Sequence, residues 1–416
     1  MIRHILPHAR SGVVQAPPSK SYAHRWLLAA YLSGDDVCLQ GVGTSQDVAA
    51  TLGALTALGL TAKAEGDTLR LGHGDVPDRA TVDCRESGST LRFLLPVAAA
   101  RGIRCTFTGA PSLLSRPITG LVDALNAHGA DIRDLTVHGR LAAGDYYVDA
   151  GVSSQYVTGL MYALPLLDGD SRLHLVGPSV SRRYIDITRD VLTRCGIRIE
   201  DTADGYAIAG RQAFRLPARV TVEGDWSGAA FWLTAGALSA EGVTVRGLTL
   251  DSHQGDRAIL DVLGAMGARI ECAGDAVTVR KHMLSGTQID VDVIPDLAQI
   301  LSVAAAFCVG QTTLCHVHRL QMKESDRLGA ILATLGAVGI ECRHAEDNLI
   351  IEGGLPTGST IAGGNDHRTV MSAAILAAYC TGESDISDAE AVAKSYPAFW
   401  QDYATLGGKD HGCLSR

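Results

Sequence analysis

The sequence predicts an α/β protein of two domains, built from six repeats of strand, buried helix, strand, surface helix and two strands, three repeats to a domain. Three observations lead there: six segments run apolar on every face, six amphipathic segments end in glycine, and short alternating stretches follow them.

The apolar segments are Ser21 to Ser33, Ser89 to Ala100, Ser154 to Leu167, Ser227 to Ser239, Leu297 to Val309 and His367 to Cys380, with starts 68, 65, 73, 70 and 70 residues apart. A helix that is apolar all round is a buried one. The amphipathic partners are Gln46 to Gly59, Ile118 to Gly129, Ile185 to Gly196, Asp256 to Gly267, Asp326 to Gly339 and Phe399 to Gly407. Glycine just past the last turn supplies the left-handed stop. Arg269-Ile-Glu-Cys, the Gly274-Asp275 turn and Ala276-Val-Thr-Val-Arg then read as a β-hairpin. Six such units cannot surround one core of ordinary size, and solenoid repeats run only about 20 to 50 residues. Two globules follow, dividing near Val220 to Asp225.

Composition narrows the function. The 416 residues are 46% hydrophobic and 19% charged, and Lys+Arg 36 against Asp+Glu 45 gives a net charge of -9, without runs of like charge. That argues against sequence-independent binding to nucleic acid or anionic lipid. Ten cysteines without a CxxC pair suit a reducing compartment. No apolar run reaches the ~18 to 20 residues of a membrane span, and the first residues lack a signal core, so a soluble, cytoplasmic protein is expected. His316-Val-His318 beside Cys315 lacks a third and fourth ligand at suitable spacing, so no metal site is expected. Neither GxxxxGKS/T nor GxGxxG occurs, which removes the usual grounds for a nucleotide cofactor.

Cations recur where helices start. They stand in Pro18-Ser-Lys20-Ser21-Tyr-Ala-His-Arg25, Glu86-Ser-Gly88-Ser-Thr-Leu-Arg92, Ser181-Arg182-Arg183-Tyr184, Lys323-Glu324-Ser-Asp-Arg327, Asp366-His367-Arg368 and Ala393-Lys394-Ser395, with the uncharged Ser153-Ser154-Gln155 in the same register. Singly, each reads as an N-cap beside solvated charge. A cation opposes the dipole at a helix N-terminus, so the recurrence points to an anion that offsets it. Asp296 and Glu324 read equally as helix-start acids or as general acid and base.

Together these motifs resemble the 5-enolpyruvylshikimate-3-phosphate synthase family of enolpyruvyl transferases over nearly the whole chain. PSKSxxHR, SGSTLRF, LLSRPI, SSQYVTGLMYALPLL, SRRYIDIT, GDWSGAAF, IPDLAQ, KESDR, NDHR and AKSYP occur in the family's order. The resemblance implies a two-domain inside-out α/β barrel (prism) of six βαβαββ repeats. It places residues 1–13 with 226–416 in one lobe and 14–225 in the other, with hinges near 14–18 and 220–226. It implies transfer of the enolpyruvyl group of phosphoenolpyruvate to the 5-hydroxyl of shikimate 3-phosphate through a tetrahedral intermediate, with no cofactor, by a monomer whose closing lobes exclude water.

By the same resemblance, Lys20, Gly88, Arg116, Arg327, Arg368 and Lys394 would hold phosphoenolpyruvate. Ser21, Arg25, Ser153, Ser154, Gln155, Ser181, Asp296 and Lys323 would hold shikimate 3-phosphate. Asp296 would take the hydroxyl proton and Glu324 would protonate the methylene carbon, with Lys20 and His367 assisting. The chain departs from the family's pattern at Glu86, where Asn is common, and at Arg319, where an Asn often meets the shikimate ring. The UDP-N-acetylglucosamine enolpyruvyl transferase, a related alternative, typically has Lys-Asn at the first motif and a reactive Cys before the Arg-Pro. Here Ser21 follows Lys20, and Pro111 to Ser115 contains no Cys. A non-catalytic anion-binding repeat protein would need the bases but neither Asp296 nor Glu324.

Overall fold

A computed structural model describes residues 1–149, 151–177, 182–323, 325–407 and 410–414. The six apolar segments form helices Lys20–Ser33, Gly88–Arg101, Ser154–Ala163, Trp226–Leu238, Ala298–Ala306 and His367–Tyr379. Two stop well before their apolar runs end, at Ala163 rather than Leu167 and at Ala306 rather than Val309. Pro165 has no N–H to donate, and the chain tightens into a 3-10 turn at Leu164–Leu166. After Ala306, the chain leaves the helix to form a parallel bridge from Val309 to Ser285. Helix Trp226–Leu238 is buried at every residue except Ser227.

The amphipathic segments form Gln46–Ala57, Thr119–Asn126, Arg182–Arg194, Ile259–Met266, Arg327–Ala337 and Phe399–Thr405. Their glycines, Gly59, Gly129, Gly196, Gly267, Gly339 and Gly407, have φ between 79° and 107°, the left-handed stop the sequence foretold. Arg269–Ala273 and Ala276–Arg280 pair antiparallel around Gly274-Asp275.

The strands form six four-stranded sheets. In a typical repeat, the strand before the buried helix, Arg79–Asp83, pairs in parallel with the strand after it, Arg104–Thr108. Two repeats exchange that first strand. Gly12–Gln15, which precedes helix Lys20–Ser33, pairs in parallel with Val243–Arg246. Arg219–Thr221, which precedes helix Trp226–Leu238, pairs in parallel with Val37–Gln40.

The exchange explains the division into two compact units, Met1–Pro17 with Glu223–Arg416, and Pro18–Val222. The first boundary falls later than residue 13 because Gly12–Gln15 is built into the sheet of Val243–Arg246. The second falls before residue 226 because Asp225 caps helix Trp226–Leu238 and its N–H reaches the Pro17 carbonyl at 2.7 Å.

Each unit has its own apolar core, one including Trp26, Leu94 and Leu160, the other Trp232, Leu301 and Ile375. In the unit Pro18–Val222, helices Gly88–Arg101 and Ser154–Ala163 lie against each other. Gly159 permits this, since a Cβ there would stand 2.3 Å from the Arg92 carbonyl oxygen and 3.0 Å from Pro96. Among the described residues, no helix is long and apolar enough to cross a membrane, and the nine described cysteine side chains are free thiols.

Candidate active site

In the unit Pro18–Val222, three buried helices bring their N-terminal turns to the expected site residues. Lys20 opens helix Lys20–Ser33, capped by Ser19, and its Nζ donates to Asp47 Oδ2 at 2.8 Å. Ser21 follows. One turn on, Arg25 is 3% exposed. Its Nε donates to Thr188 Oγ1 (2.8 Å), Nη1 to the Ser21 carbonyl (2.8 Å), and Nη2 to the Tyr184 carbonyl (2.9 Å) and Thr158 Oγ1 (3.3 Å). Burial pushes this guanidinium down to about 10, which leaves it charged at neutral pH.

Gly88 opens the second helix, capped by Ser87. A Cβ on Gly88 would meet Arg92 Nη1 at 2.9 Å, and Arg116 Nη1 and Gln155 Oε1 each at 3.5 Å, so these four residues converge. Arg92 Nη1 donates to Gln155 Oε1 at 2.7 Å, and Gln155 Nε2 donates to Ser89 Oγ at 3.1 Å. Ser153 caps the third helix by accepting from the Gln155 N–H at 3.2 Å, and buried Ser154 begins it. Ser181 lies outside the described residues.

The other unit assembles its cluster around two buried guanidinium groups. Arg327 Nη1 donates to Asp296 Oδ1 at 2.7 Å and its Nε to Asp366 Oδ2 at 3.1 Å. Arg368 Nη2 stands 3.1 Å from Asp296 Oδ2, and its Nη1 donates to the Asp296 carbonyl at 3.2 Å. Arg327 and Asp366 are each 1% exposed and Asp296 is 18% exposed. Asp366 also caps helix His367–Tyr379 through the Arg368 and Thr369 N–H groups and accepts from Ser325 Oγ at 2.8 Å. Burial works against its ionisation, yet the charges of Arg327 and His367 and the Ser325 and Arg327 hydrogen bonds hold it well below the usual carboxylate range.

Around this core, buried His367 begins its helix, and Lys394 Nζ donates to the Asn365 carbonyl at 2.9 Å. Lys323 follows the 3-10 turn His318–Met322. Glu324 lies outside the described residues. Arg319, the departure from the family's pattern, is matched by an acid, for its Nη1 donates to Asp292 Oδ1 at 3.0 Å.

Three participants went unassigned in the sequence reading: Asp47, Arg92 and Asp366. Arg92 stood in the quoted motif one turn after Gly88, and Asp366 stood in an N-cap position, so both carried a signal. Asp47 offered only an acid near a surface-helix start. Among the described residues, no group of three or more His, Cys, Asp or Glu side chains could hold a metal ion. Burial pushes the Cys84 thiol, near the Gly88 turn, up to about 12, so it is no thiolate nucleophile.

Two α/β units, each with cations at helix starts paired to carboxylates, define a protein suited to phosphorylated and carboxylated ligands. The chain belongs to the EPSP synthase (3-phosphoshikimate 1-carboxyvinyltransferase) family, whose sequence profile matches residues 7–403. It is 39% identical over 419 residues to the 3-phosphoshikimate 1-carboxyvinyltransferase of Clostridium kluyveri, covering 97% of both chains. Against that of Clostridium novyi, it is 37% identical over 423 residues, again covering 97% of each. Its fold is similar to that of EPSP synthase from Acinetobacter baumannii, with a TM-score of 0.84 at 23% identity over 99% of each chain. It is also similar to the enolpyruvyl transferase NikO from Streptomyces tendae, with a TM-score of 0.79 at 20% identity over 99% of this chain and 98% of that one. The family expected from the motifs is the family found.

Proposed function

We propose that this protein transfers the enolpyruvyl group of phosphoenolpyruvate to the 5-hydroxyl of shikimate 3-phosphate and releases inorganic phosphate. Family membership supports the reaction, and the pair of buried guanidinium groups on Asp296 carries the reading to particular residues. Two buried cations sharing one partly exposed carboxylate are fixed in place and can exchange that carboxylate for a ligand's anionic groups.

Lys20, Arg116, Arg327, Arg368 and Lys394, with the Gly88 turn, hold the phosphate and carboxylate of phosphoenolpyruvate. Ser21, Arg25, Ser153, Ser154, Gln155, Ser181, Asp296 and Lys323 hold shikimate 3-phosphate. Glu324 protonates the methylene carbon, which makes C2 electron-deficient. Asp296 takes the proton from the 5-hydroxyl as its oxygen bonds to C2. The tetrahedral adduct then loses phosphate from C2 while the Glu324 carboxylate takes back a proton from the methyl group, restoring the double bond, with Lys20 and His367 assisting. As the ligand's anions draw off Arg327 and Arg368, the Asp296 carboxylate is released to act as base. Fixing two anions side by side against their repulsion is the main work of the cations.

The test is phosphate release from phosphoenolpyruvate with shikimate 3-phosphate, run beside the same assay with UDP-N-acetylglucosamine. Release with the first acceptor alone is expected. Release only with the second would move the chain to the sugar-nucleotide branch, and release with neither would leave a binding protein.

A further inference from the structure

Lys20 and Gly88 open two different helices, and a third holds one against the other. Asp47 and Thr51 stand one turn apart on helix Gln46–Ala57, which packs against both. Asp47 Oδ2 accepts from Lys20 Nζ at 2.8 Å, and Thr51 Oγ1 lies 2.7 Å from Nδ1 of His24, one turn beyond Lys20. On its other side, Thr51 Oγ1 lies 2.7 Å from Thr90 Oγ1, in the first turn of helix Gly88–Arg101. Thr90 Oγ1 donates to Ser87 Oγ at 2.8 Å, the oxygen that caps this helix by accepting from the Thr90 N–H at 3.2 Å.

His24, Thr51, Thr90 and Ser87 thus form one hydrogen-bonded chain, and none of them is more than 3% exposed. Its direction follows from the single proton of each hydroxyl. Thr90 gives its proton to Ser87, so it can only accept from Thr51, and Thr51 can then only accept from His24 Nδ1–H. The buried His24 Nε2 has no hydrogen-bond partner among the described residues, so the polar hold on the ring is this bond.

We propose that Thr51 is a positioning residue for the phosphoenolpyruvate site: its hydroxyl fixes the Gly88 helix start against the Lys20 helix start, and so sets the spacing of the groups that hold the ligand's anions. The proposal rests on the enolpyruvyl-transfer reading. Helices Lys20–Ser33 and Ser154–Ala163, whose starts carry groups for shikimate 3-phosphate, are tied through a different residue, for Arg25 donates to Thr158. A cut at Thr51 therefore acts on the two substrates unequally.

The experiment measures KM for each substrate by phosphate release in Thr51→Val, which keeps the shape of the side chain and removes the hydroxyl. His24 Nδ1–H loses its acceptor and Thr90 Oγ1 its donor, both in a buried place, and recovering a partner shifts the Gly88 turn. KM for phosphoenolpyruvate should rise by about fivefold to tenfold, the effect of one hydrogen bond, with KM for shikimate 3-phosphate held within about twofold. Thr51→Ser returns the hydroxyl and should restore KM. Leu55→Ala, one turn further along the same helix and 0% exposed, should lower the melting temperature without raising KM. Unchanged KM in Thr51→Val, no rescue by serine, or an equal rise in Leu55→Ala would overturn the proposal.

Thr90→Ala cuts the same chain on its far side and suits a helix better, so it serves as the test if Thr51→Val does not fold. Unchanged KM there would also overturn the proposal. In the double variant the second cut should add nothing, and effects that multiply would mean independent contacts and overturn it. Calorimetric titration of phosphoenolpyruvate into wild type, Thr51→Val and Thr90→Ala reads binding without turnover. Weaker binding by the variants is expected, and equal binding would overturn the proposal even if no phosphate were released. Absence of release would by itself sink only the enolpyruvyl-transfer reading.

Discussion

Asp296 Oδ1 and Arg327 Nη1 stand 2.7 Å apart, and the same guanidinium reaches Asp366 through Nε at 3.1 Å while only 1% exposed. Of the two carboxylates on this buried cation, Asp366 is the one that is itself buried. Asp366→Ala removes it together with the cap of helix His367–Tyr379 and leaves Arg327, 1% exposed, without that partner. Breaking a buried ion pair costs about 3 to 5 kcal/mol. Urea unfolding should show a loss of that order, and a loss below about 1 kcal/mol would mean that the site relaxes around the vacated position.

Asp296→Asn keeps Arg327 on Asp366, so the protein should fold and bind both substrates. Without a base for the 5-hydroxyl, kcat should fall by about 10²- to 10⁴-fold, and Glu324→Gln should behave alike through loss of the proton donor. Binding of each substrate by calorimetry, beside phosphate release, separates the two effects. Unchanged kcat in either variant would remove that residue from its role.

Much of this was legible in the chain. The six buried helices and the six glycine stops follow from local patterning, because apolar faces and left-handed φ are decided within a few residues. Cationic helix starts recurred in register, and so the residues at those starts could be singled out from sequence. What sequence concealed was pairing between distant residues. That Asp296 holds Arg327 and Arg368, that Asp47 meets Lys20 and that Arg92 anchors Gln155 are separations of 27 to 72 residues, set by packing. Local patterning hid the strand exchange too, since Gly12–Gln15 carries no mark of its partner at Val243–Arg246, and only the family resemblance set the N-terminal residues with the later part of the chain.

Gly88→Ala probes the convergence at the second helix start. The φ of Gly88 lies outside the left-handed region, so alanine suits its backbone, yet the new methyl would sit 2.9 Å from Arg92 Nη1 and 3.5 Å from Arg116 Nη1. A flexible guanidinium can move, which spares stability but shifts the ligand's donors. The melting temperature should change little while KM for phosphoenolpyruvate rises by about tenfold, the equivalent of roughly 1.4 kcal/mol. Equal KM values would place the Gly88 turn away from that substrate.

His174 gives stability a pH dependence through two carboxylates outside the candidate site. Its ring reaches Asp204 at 2.6 Å and Asp145 at 3.1 Å and stacks on Tyr147. The hydrogen bonds to Asp204 and then Asp145 raise the His174 pKa, and the bond to His174 lowers that of Asp204. A raised folded-state pKa stabilises fully below the unfolded value of about 6.5 and is lost as pH climbs through the folded one. The lowered Asp204 contributes above its unfolded value and is lost as pH falls through the folded one. Urea unfolding of wild type and His174→Gln should therefore differ most near pH 5.5 and converge by pH 8.5. A constant difference across that range would show that only the stacking matters.

Arg25 separates binding from folding in a single residue. Three of its nitrogens donate to Thr188, Ser21, Tyr184 and Thr158, and its guanidinium lies 5.2 Å from the Phe93 ring centroid. Lysine offers one nitrogen and no planar fork, so Arg25→Lys cannot make all four of these bonds. Unfolding free energy should drop by about 2 to 4 kcal/mol, and KM for shikimate 3-phosphate should rise as the helix start loosens. Arg116→Lys serves as the contrast, because Arg116 is only partly buried. It should raise KM for phosphoenolpyruvate with stability nearly unchanged. If Arg25→Lys unfolds like wild type in urea, the four hydrogen bonds are not what holds these helices together, and Arg25 acts on the ligand alone.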